Sequence, residues 1–494
     1  MKKHRSLLLL VTLLFVIPCL SAQEKVSFDE YFLDSALRVD LFHTGNATTE
    51  EYTLDRLVLQ PTPWAGNPDN LIDPFNNGRY EVRLLCPASG KLLFSQGYDT
   101  YFGEYKTTTP AINGVKKSYS ESIIVPLPKN PVKMVISLYD RENKVKEIFS
   151  TTLDPKDYTI IKEKVPEGVK LFPLLPQGDV HKKVDIVVVG EGYTAVEEEK
   201  FQKDIARFLK VLLSQEPFKS NQEKLHFTGV FKASEESGTD EPEKGLFKRT
   251  LLSTTFSSLG LERYNLTEAN EALREVTSGV PYDALYIMIN TSRYGGGGIY
   301  NLYSVFTSDT PACDYVFLHE FGHSFGGLGD EYYTSSVAYN DFYPQGVEPR
   351  EPNLTALLDP SNLKWKELAT PGTPLPTLWE KERFESLGPL AMRHREMAVA
   401  ELEKAKKSGA SPKKIASLEA KLKALIAKDR QKNIDFLEKH PMRGKVGAYE
   451  GAGYASKGIY RPMVDCIMFS GGSPKPYCKV CEKRVSERIR FFSE

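Results

Sequence analysis

The residues of this chain best suited to chemistry are two histidines four positions apart with a glutamate between them. Residues 315–331 read Tyr-Val-Phe-Leu-His-Glu-Phe-Gly-His-Ser-Phe-Gly-Gly-Leu-Gly-Asp-Glu. On a helix His319 and His323 emerge on one face about one turn apart, so both imidazoles can reach a single Zn²⁺ at about 2.0–2.1 Å. Glu320 is offset around the same helix and can serve as base toward water without ligating the ion. A catalytic zinc needs a third protein ligand and an open position. Gly326, Gly327 and Gly329 can end the helix and turn the chain back, because glycine tolerates positive φ. That turn leads to Asp330 and Glu331. Asp330 is the favoured third ligand, with Glu331 as a supporting or helix-capping group; the reverse assignment and a distant carboxylate both stay open. The chemistry is hydrolysis: zinc polarises a scissile carbonyl and acidifies water from a pKa of about 15.7 towards about 7. Glu320 would take the proton and deliver it to the leaving amine. The competing reading is a pair of core histidines, against which the intervening glutamate and the glycine turn into acid both weigh.

Elements able to position this motif are visible around it. Val184–Val189 is a buried-strand run ending at Gly190, and Thr194 with Glu197 forms a capping box for a helix. Phe201, Ile205, Phe208, Leu209, Leu212 and Leu213 then follow helical spacing, and Leu285–Ile289 is a second buried strand. Strand, helix and strand in this order predict an α/β layer. Gly190-x-Gly192 lacks the third glycine of a dinucleotide fingerprint and reads as a strand-to-helix turn. Residues 378–440 change to Ala, Glu, Lys, Leu and Arg. Met392–Lys407 and Lys413–Leu437 read there as two helices joined at Ser408-Gly409, an insertion with solvated charged faces.

Upstream, residues 27 to 165 read as all-β. Glu81–Cys86, Ser122–Leu127 and Val132–Leu138 are short alternating or apolar runs separated by Pro, Gly and Asn, which predicts a two-sheet sandwich. No titratable cluster in that unit demands a catalytic role. Residues 166–176 are rich in proline and connect the two units.

With 494 residues, 41% hydrophobic, 26% charged and a formal charge of −1, the chain is globular and longer than one ordinary core. Nothing in it forms a basic nucleic-acid surface. Lys2, Lys3, His4 and Arg5 precede the apolar run Leu7–Ile17, and Ser21-Ala22 offers a cleavage site. This is a signal peptide over residues 1–22, too short to span a bilayer, and it predicts export across the inner membrane to the periplasm, the cell surface or beyond. Cys19 offers lipidation as an alternative, though Pro18 before it suits that processing poorly. The mature chain keeps Cys86, Cys313, Cys466, Cys478 and Cys481, an odd number in a disulfide-permissive compartment.

Near the C-terminus, Asp465-Cys-Ile-Met-Phe-Ser-Gly-Gly resembles the methionine turn of metzincin peptidases, with Met468 as the apolar base beneath the zinc. One departure is clear: the third histidine that metzincins usually carry would fall at Gly329. From Val184 onward the chain resembles the IgA-peptidase family of bacterial metallopeptidases. The resemblance is carried by Val184–Tyr193, Ser234–Pro242, Gly295–Asn301, His319–Tyr332, Glu351–Thr355, Gly372–Thr377 and Glu450–Met468, followed by Cys478-x-x-Cys481. The β-rich N-terminal unit resembles the domain that precedes such catalytic domains. The resemblance implies zinc endopeptidase activity and does not fix immunoglobulin A as substrate.

Weaker signals remain. Gly295–Gly298 reads as a mobile loop, with an edge segment accepting an extended peptide as the alternative. The acidic stretch Glu235–Glu243 reads as a solvated turn rather than a calcium loop. Structural roles suit Tyr454 and Tyr460 better than contact with a tetrahedral intermediate. Cys466, Cys478 and Cys481 read as disulfide partners near the methionine turn rather than as zinc ligands.

The sequence therefore predicts three segments: a signal peptide (1–22), a β-sandwich-like domain (23–165), and an α+β metzincin-like zinc peptidase domain (166–494) carrying a helical hairpin (378–440). The expected function is zinc-dependent cleavage of an extracellular protein or glycoprotein, immunoglobulin-like proteins among them. Two alternatives are a host glycan- or protein-binding module with a vestigial zinc site and a metal-dependent cell-wall peptide amidase.

Overall fold

Strict alternation builds the N-terminal domain: from Tyr80 to Leu84 every second side chain is buried, which gives one sheet face to a core and the other to solvent. The computed structural model describes residues 25–333, 343–471 and 475–494, so the signal peptide expected at 1–22 lies outside the described residues. The domain contains β1 (Phe32–Gly45), β2 (Glu50–Leu59), β3 (Tyr80–Leu85), β4 (Leu92–Tyr98), β5 (Lys117–Pro128), β6 (Val132–Tyr139), β7 (Val145–Leu153) and β8 (Ile161–Lys162). They form two four-stranded sheets, ordered β5-β1-β2-β8 and β4-β3-β6-β7. Val39, Leu41, Val82, Leu84, Val125, Met134 and Ile136 meet between them. The sandwich holds a buried titratable cluster. His43 lies 3.1 Å from both Glu50 and Glu121, on opposite ring nitrogens.

The second domain is built on a mainly parallel sheet. Its strands are β9 (Lys170–Pro173), β10 (Val184–Glu191), β11 (Leu225–Phe231), β12 (Ala284–Ile289), β13 (Gly296–Ile299) and β14 (Tyr303–Thr307). Their order is β13-β14-β12-β10-β11-β9, and only the two edge strands are antiparallel to their neighbours. All eight residues of β10 are buried, as an apolar run covered on both faces requires. Ile186 and Val188 pack on one face against Phe201, Ile205 and Phe208 of the helix Glu198–Leu213, entered through the Thr194–Glu197 capping box. Val187, Val189, Leu285 and Ile287 pack on the other, where Tyr101, Phe102 and Tyr119 of the N-terminal domain complete the cover. The two domains therefore share a core.

The helical hairpin is present as Lys381–Lys407 and Pro412–Glu438. Its first helix starts eleven residues earlier than the sequence suggests, running through Gly388 and Pro389. Proline inside a helix costs a backbone hydrogen bond, and packing of the first turn overrides it. Phe384 sits 5.5–5.8 Å from the rings of Trp379, Phe436 and Phe469. After the hairpin come β15 (Tyr449–Ala452), β16 (Ala455–Arg461) and a final helix, Lys479–Ser493. Among the described residues no helix is long and apolar enough to cross a membrane.

Candidate metal centre

The helix Cys313–Ser324 carries His319, Glu320 and His323 and lies against β13 and β14. Its apolar side, with Val316, Phe317 and Phe321, belongs to the sheet core. It stops where the glycines begin. Gly327 has φ +61° and its N–H donates to the carbonyl of His323 at 3.0 Å, while Leu328 N–H donates to Gly322 at 3.0 Å. These bonds satisfy the last helical carbonyls and reverse the chain. Asn353 then grips the returning segment, accepting from Gly329 N–H at 2.8 Å and donating to Gly329 O at 2.9 Å. From the other domain Asn77 donates to Gly327 O at 2.9 Å.

The reversal places Asp330 over the histidines. Its Oδ1 is 3.1 Å from His319 Nε2 and 3.2 Å from His323 Nε2, and the two Nε2 atoms are 3.2 Å apart. Ligands of a tetrahedral zinc at about 2.0–2.1 Å lie about 3.3 Å from one another, so the triangle fits such an ion. Two further observations agree with that fit. Asp330 Oδ1 is buried yet accepts no hydrogen bond among the described residues. Both rings keep Nε2 for a ligand role, since His319 Nδ1 meets Ile467 O at 3.1 Å and His323 Nδ1 meets Leu328 O at 2.7 Å. With protein atoms alone, burial opposes protonation of His323, but neighbouring Asp330 outweighs it and raises the ring to about 9. Burial likewise disfavours charge on Asp330, yet the two imidazoles hold its carboxyl well below the usual range.

Glu320 sits beside this triangle, with a carboxylate oxygen within 4.8 Å of the histidine ligand atoms. Burial raises its pKa, against the pull of His319 and His323. Met468 is fully buried beneath the helix: a Cβ on Gly322 would fall 2.7 Å from its sulfur. The carbonyl of Met468 also accepts from Glu331 N–H at 2.8 Å.

The four-glycine segment is not a loop. Gly296–Gly298 with Ile299 form the edge strand β13, and the missing side chains explain its closeness to the helix. A Cβ on Gly298 would come 2.5 Å from Glu320 O and 2.9 Å from His323 Cβ. A 990 Å³ cleft opens over the centre, walled by β13 and Tyr332 on one side and by Glu50, Arg79 and Tyr139 of the N-terminal domain on the other. The acidic stretch is answered by arginines, Glu235 by Arg249 at 3.1 Å and Glu241 by Arg293 at 2.7 Å.

Sequence reasoning missed several supporting residues. Arg488 of the last helix donates to Phe325 O at 3.0 Å and to Asn301 Oδ1 at 2.7 Å, fixing the exit of the metal helix. Only its place in the buried apolar face of that helix signals it. The expected disulfides are not formed. Cys466, Cys478 and Cys481 are free and buried. Cys466 and Cys481 Sγ lie 3.9 Å apart, against about 2.05 Å in a disulfide. They converge on the Glu331 carboxylate, which does not line the cleft.

No curated protein sequence matches the chain. The sequence profile described as Peptidase M64 N-terminus matches residues 27–150, and the profile described as IgA Peptidase M64 matches residues 172–489. The second alone spans well over half of the sequence and includes the whole histidine motif. The chain belongs to the IgA peptidase M64 family.

Proposed function

We propose that the protein is a zinc endopeptidase, with His319, His323 and Asp330 as ligands, acting on an extracytoplasmic protein or glycoprotein. The observation that carries this reading is the triangle of ligand atoms at 3.1–3.2 Å on the floor of a 990 Å³ cleft. Two imidazoles and a carboxylate are a zinc-type donor set with a position left for substrate. Zinc supplies Lewis-acid polarisation of the scissile carbonyl and acidification of the attacking water. Glu320 would accept a proton from the attacking water and return it to the leaving amine, and its raised pKa suits a group that must do both. The edge strand β13 borders the cleft and offers backbone groups to an extended peptide. Met468 and the methionine turn support a metzincin-like arrangement in which an acid replaces the third histidine.

A peptide-library digest read by mass spectrometry tests the reading. Cleavage within peptides should vanish with a chelator and return with zinc. Glu320→Gln should bind zinc and lose about 10²–10⁴-fold in rate. Chelator-insensitive cleavage, or turnover confined to cell-wall muropeptides, would overturn it.

A further inference from the structure

Behind the histidine centre, four ligand-type side chains enclose a second point in the core. Glu331 follows Asp330, Cys466 opens the methionine turn, Cys478 caps the last helix and Cys481 lies in its first turn. All four are buried, and one ligand atom from each lies within 4.8 Å of the others. Cys481 Sγ is 3.2 Å and Cys478 Sγ 3.8 Å from Glu331 Oε1, and Cys466 Sγ is 3.9 Å from Cys481 Sγ. A tetrahedral zinc with Zn–S of about 2.3 Å and Zn–O of about 2.1 Å sets S···S near 3.8 Å and S···O near 3.6 Å. These three spacings lie close to that polyhedron and far from a disulfide. Cys478 N–H donates to Cys466 Sγ at 3.2 Å, and the helix N-terminus favours thiolate at Cys478. Glu331 Oε2 is buried with no hydrogen-bond partner among the described residues, an expensive arrangement unless a cation or a proton neutralises the carboxylate.

We propose that Glu331, Cys466, Cys478 and Cys481 bind a second zinc ion, separate from the catalytic one and structural in role. Four protein ligands close the coordination shell, so this ion contacts no substrate. It ties together three segments that build the catalytic centre: the chain leaving the glycine turn, the methionine turn and the final helix. It also commits Glu331 to the core, leaving Asp330 to face the cleft.

Elemental analysis of the purified protein tests this. The wild type should carry two zinc ions per chain. His319→Ala/His323→Ala should carry one, and Cys478→Ser/Cys481→Ser should lose the other. If the cysteine variant fails to fold, the histidine variant remains decisive because its thiols are intact. Reconstituted with Co²⁺, it should show thiolate-to-cobalt charge-transfer absorption in the near ultraviolet. A histidine variant with no zinc and no such band overturns the second site, as does a disulfide among these three cysteines in non-reducing mass mapping. A wild type carrying a single zinc, with the thiolate band retained in the histidine variant, would instead count against the catalytic reading.

Discussion

Tyr454 holds Asp330 by one oxygen: its hydroxyl donates to Oδ2, leaving Oδ1 turned toward Nε2 of both histidines. The tyrosine stands at the tip of the β15–β16 hairpin, where Gly453 has φ +54° and Tyr454 itself φ +60°. A two-residue hairpin turn of type I′ needs positive φ at both positions and normally uses Gly, Asn or Asp. Placing tyrosine there costs about 1 kcal/mol of backbone strain, which the side-chain bond and the contact of Gly453 N–H with Asp330 O at 2.9 Å offset.

Tyr454→Phe should therefore keep the fold and weaken zinc binding by about 10–100-fold, as loss of a ligand-orienting partner does. Competition with a chromophoric chelator measures it. Tyr454→Gly should separate strain from orientation, with equal or higher thermal stability and the same loss of zinc affinity. Unchanged affinity in both variants would show that the hydroxyl does not orient the ligand.

Asp330 and Glu331 are adjacent but face opposite ways, and that predicts unequal consequences. Asp330→Asn removes the charge beside both imidazoles and should weaken the histidine-site zinc by more than the roughly 100-fold expected for a supporting residue. Glu331→Gln should fall within that range, because Glu331 reaches Asn353 and the cysteines rather than the histidines. Chelator titration of the two variants in parallel decides between them; the opposite ranking would exchange their roles.

Gly298 is required by the approach of β13 to the metal helix. In Gly298→Ala the new Cβ meets the Glu320 carbonyl and the His323 Cβ, neither of which can swing aside. About 1–3 kcal/mol of destabilisation should follow, with a fall in rate as His323 and Glu320 move. Gly297→Ala is the control, because its Cβ meets Leu266 Cδ2 at 2.6 Å, the end of a flexible side chain. Thermal melts and zinc content should separate the two; equal effects would mean that the close approach is not what glycine serves.

These residues also mark how far the sequence could be read. Histidine spacing on a helix is local geometry, so His319, Glu320 and His323 were legible, as was the capping box at Thr194 and Glu197. Asp330 was legible as a candidate because the glycines before it announce a reversal. What the reversal aims at depends on Asn353, Asn77 and Tyr454, which are distant in sequence and share no spacing rule. The same holds for Cys466, Cys478 and Cys481: their convergence on Glu331 is made by the fold. The first hairpin helix starts at Lys381 rather than at the Met392 expected, with its first turn packed through Phe384 against Trp379, Phe436 and Phe469. The glycines at 295–298 misled, since small size there serves packing rather than mobility.

The buried cluster of the N-terminal domain gives a prediction about acid. Burial pushes the Glu50 carboxyl up, but the bond with His43, the Lys106 ammonium and the Tyr80 hydroxyl outweigh it and hold the group at about 2. The Tyr80 hydroxyl donates to Glu50 Oε2 at 2.7 Å, and His43 Nε2 lies 3.1 Å from the same atom. A folded value below the ordinary 4.5 means that the native state binds fewer protons than the unfolded chain. The stabilisation is therefore complete above about pH 4.5 and is lost as pH falls towards about 2. Its size is about 3 kcal/mol. Urea denaturation with a chelator present, so that metal contributions cancel, should show Glu50→Gln less stable than the wild type at about pH 6. The gap should narrow steadily as the pH is lowered through the window set by those two values. A gap independent of pH would mean that the loss comes from packing at this site rather than from the carboxylate's charge.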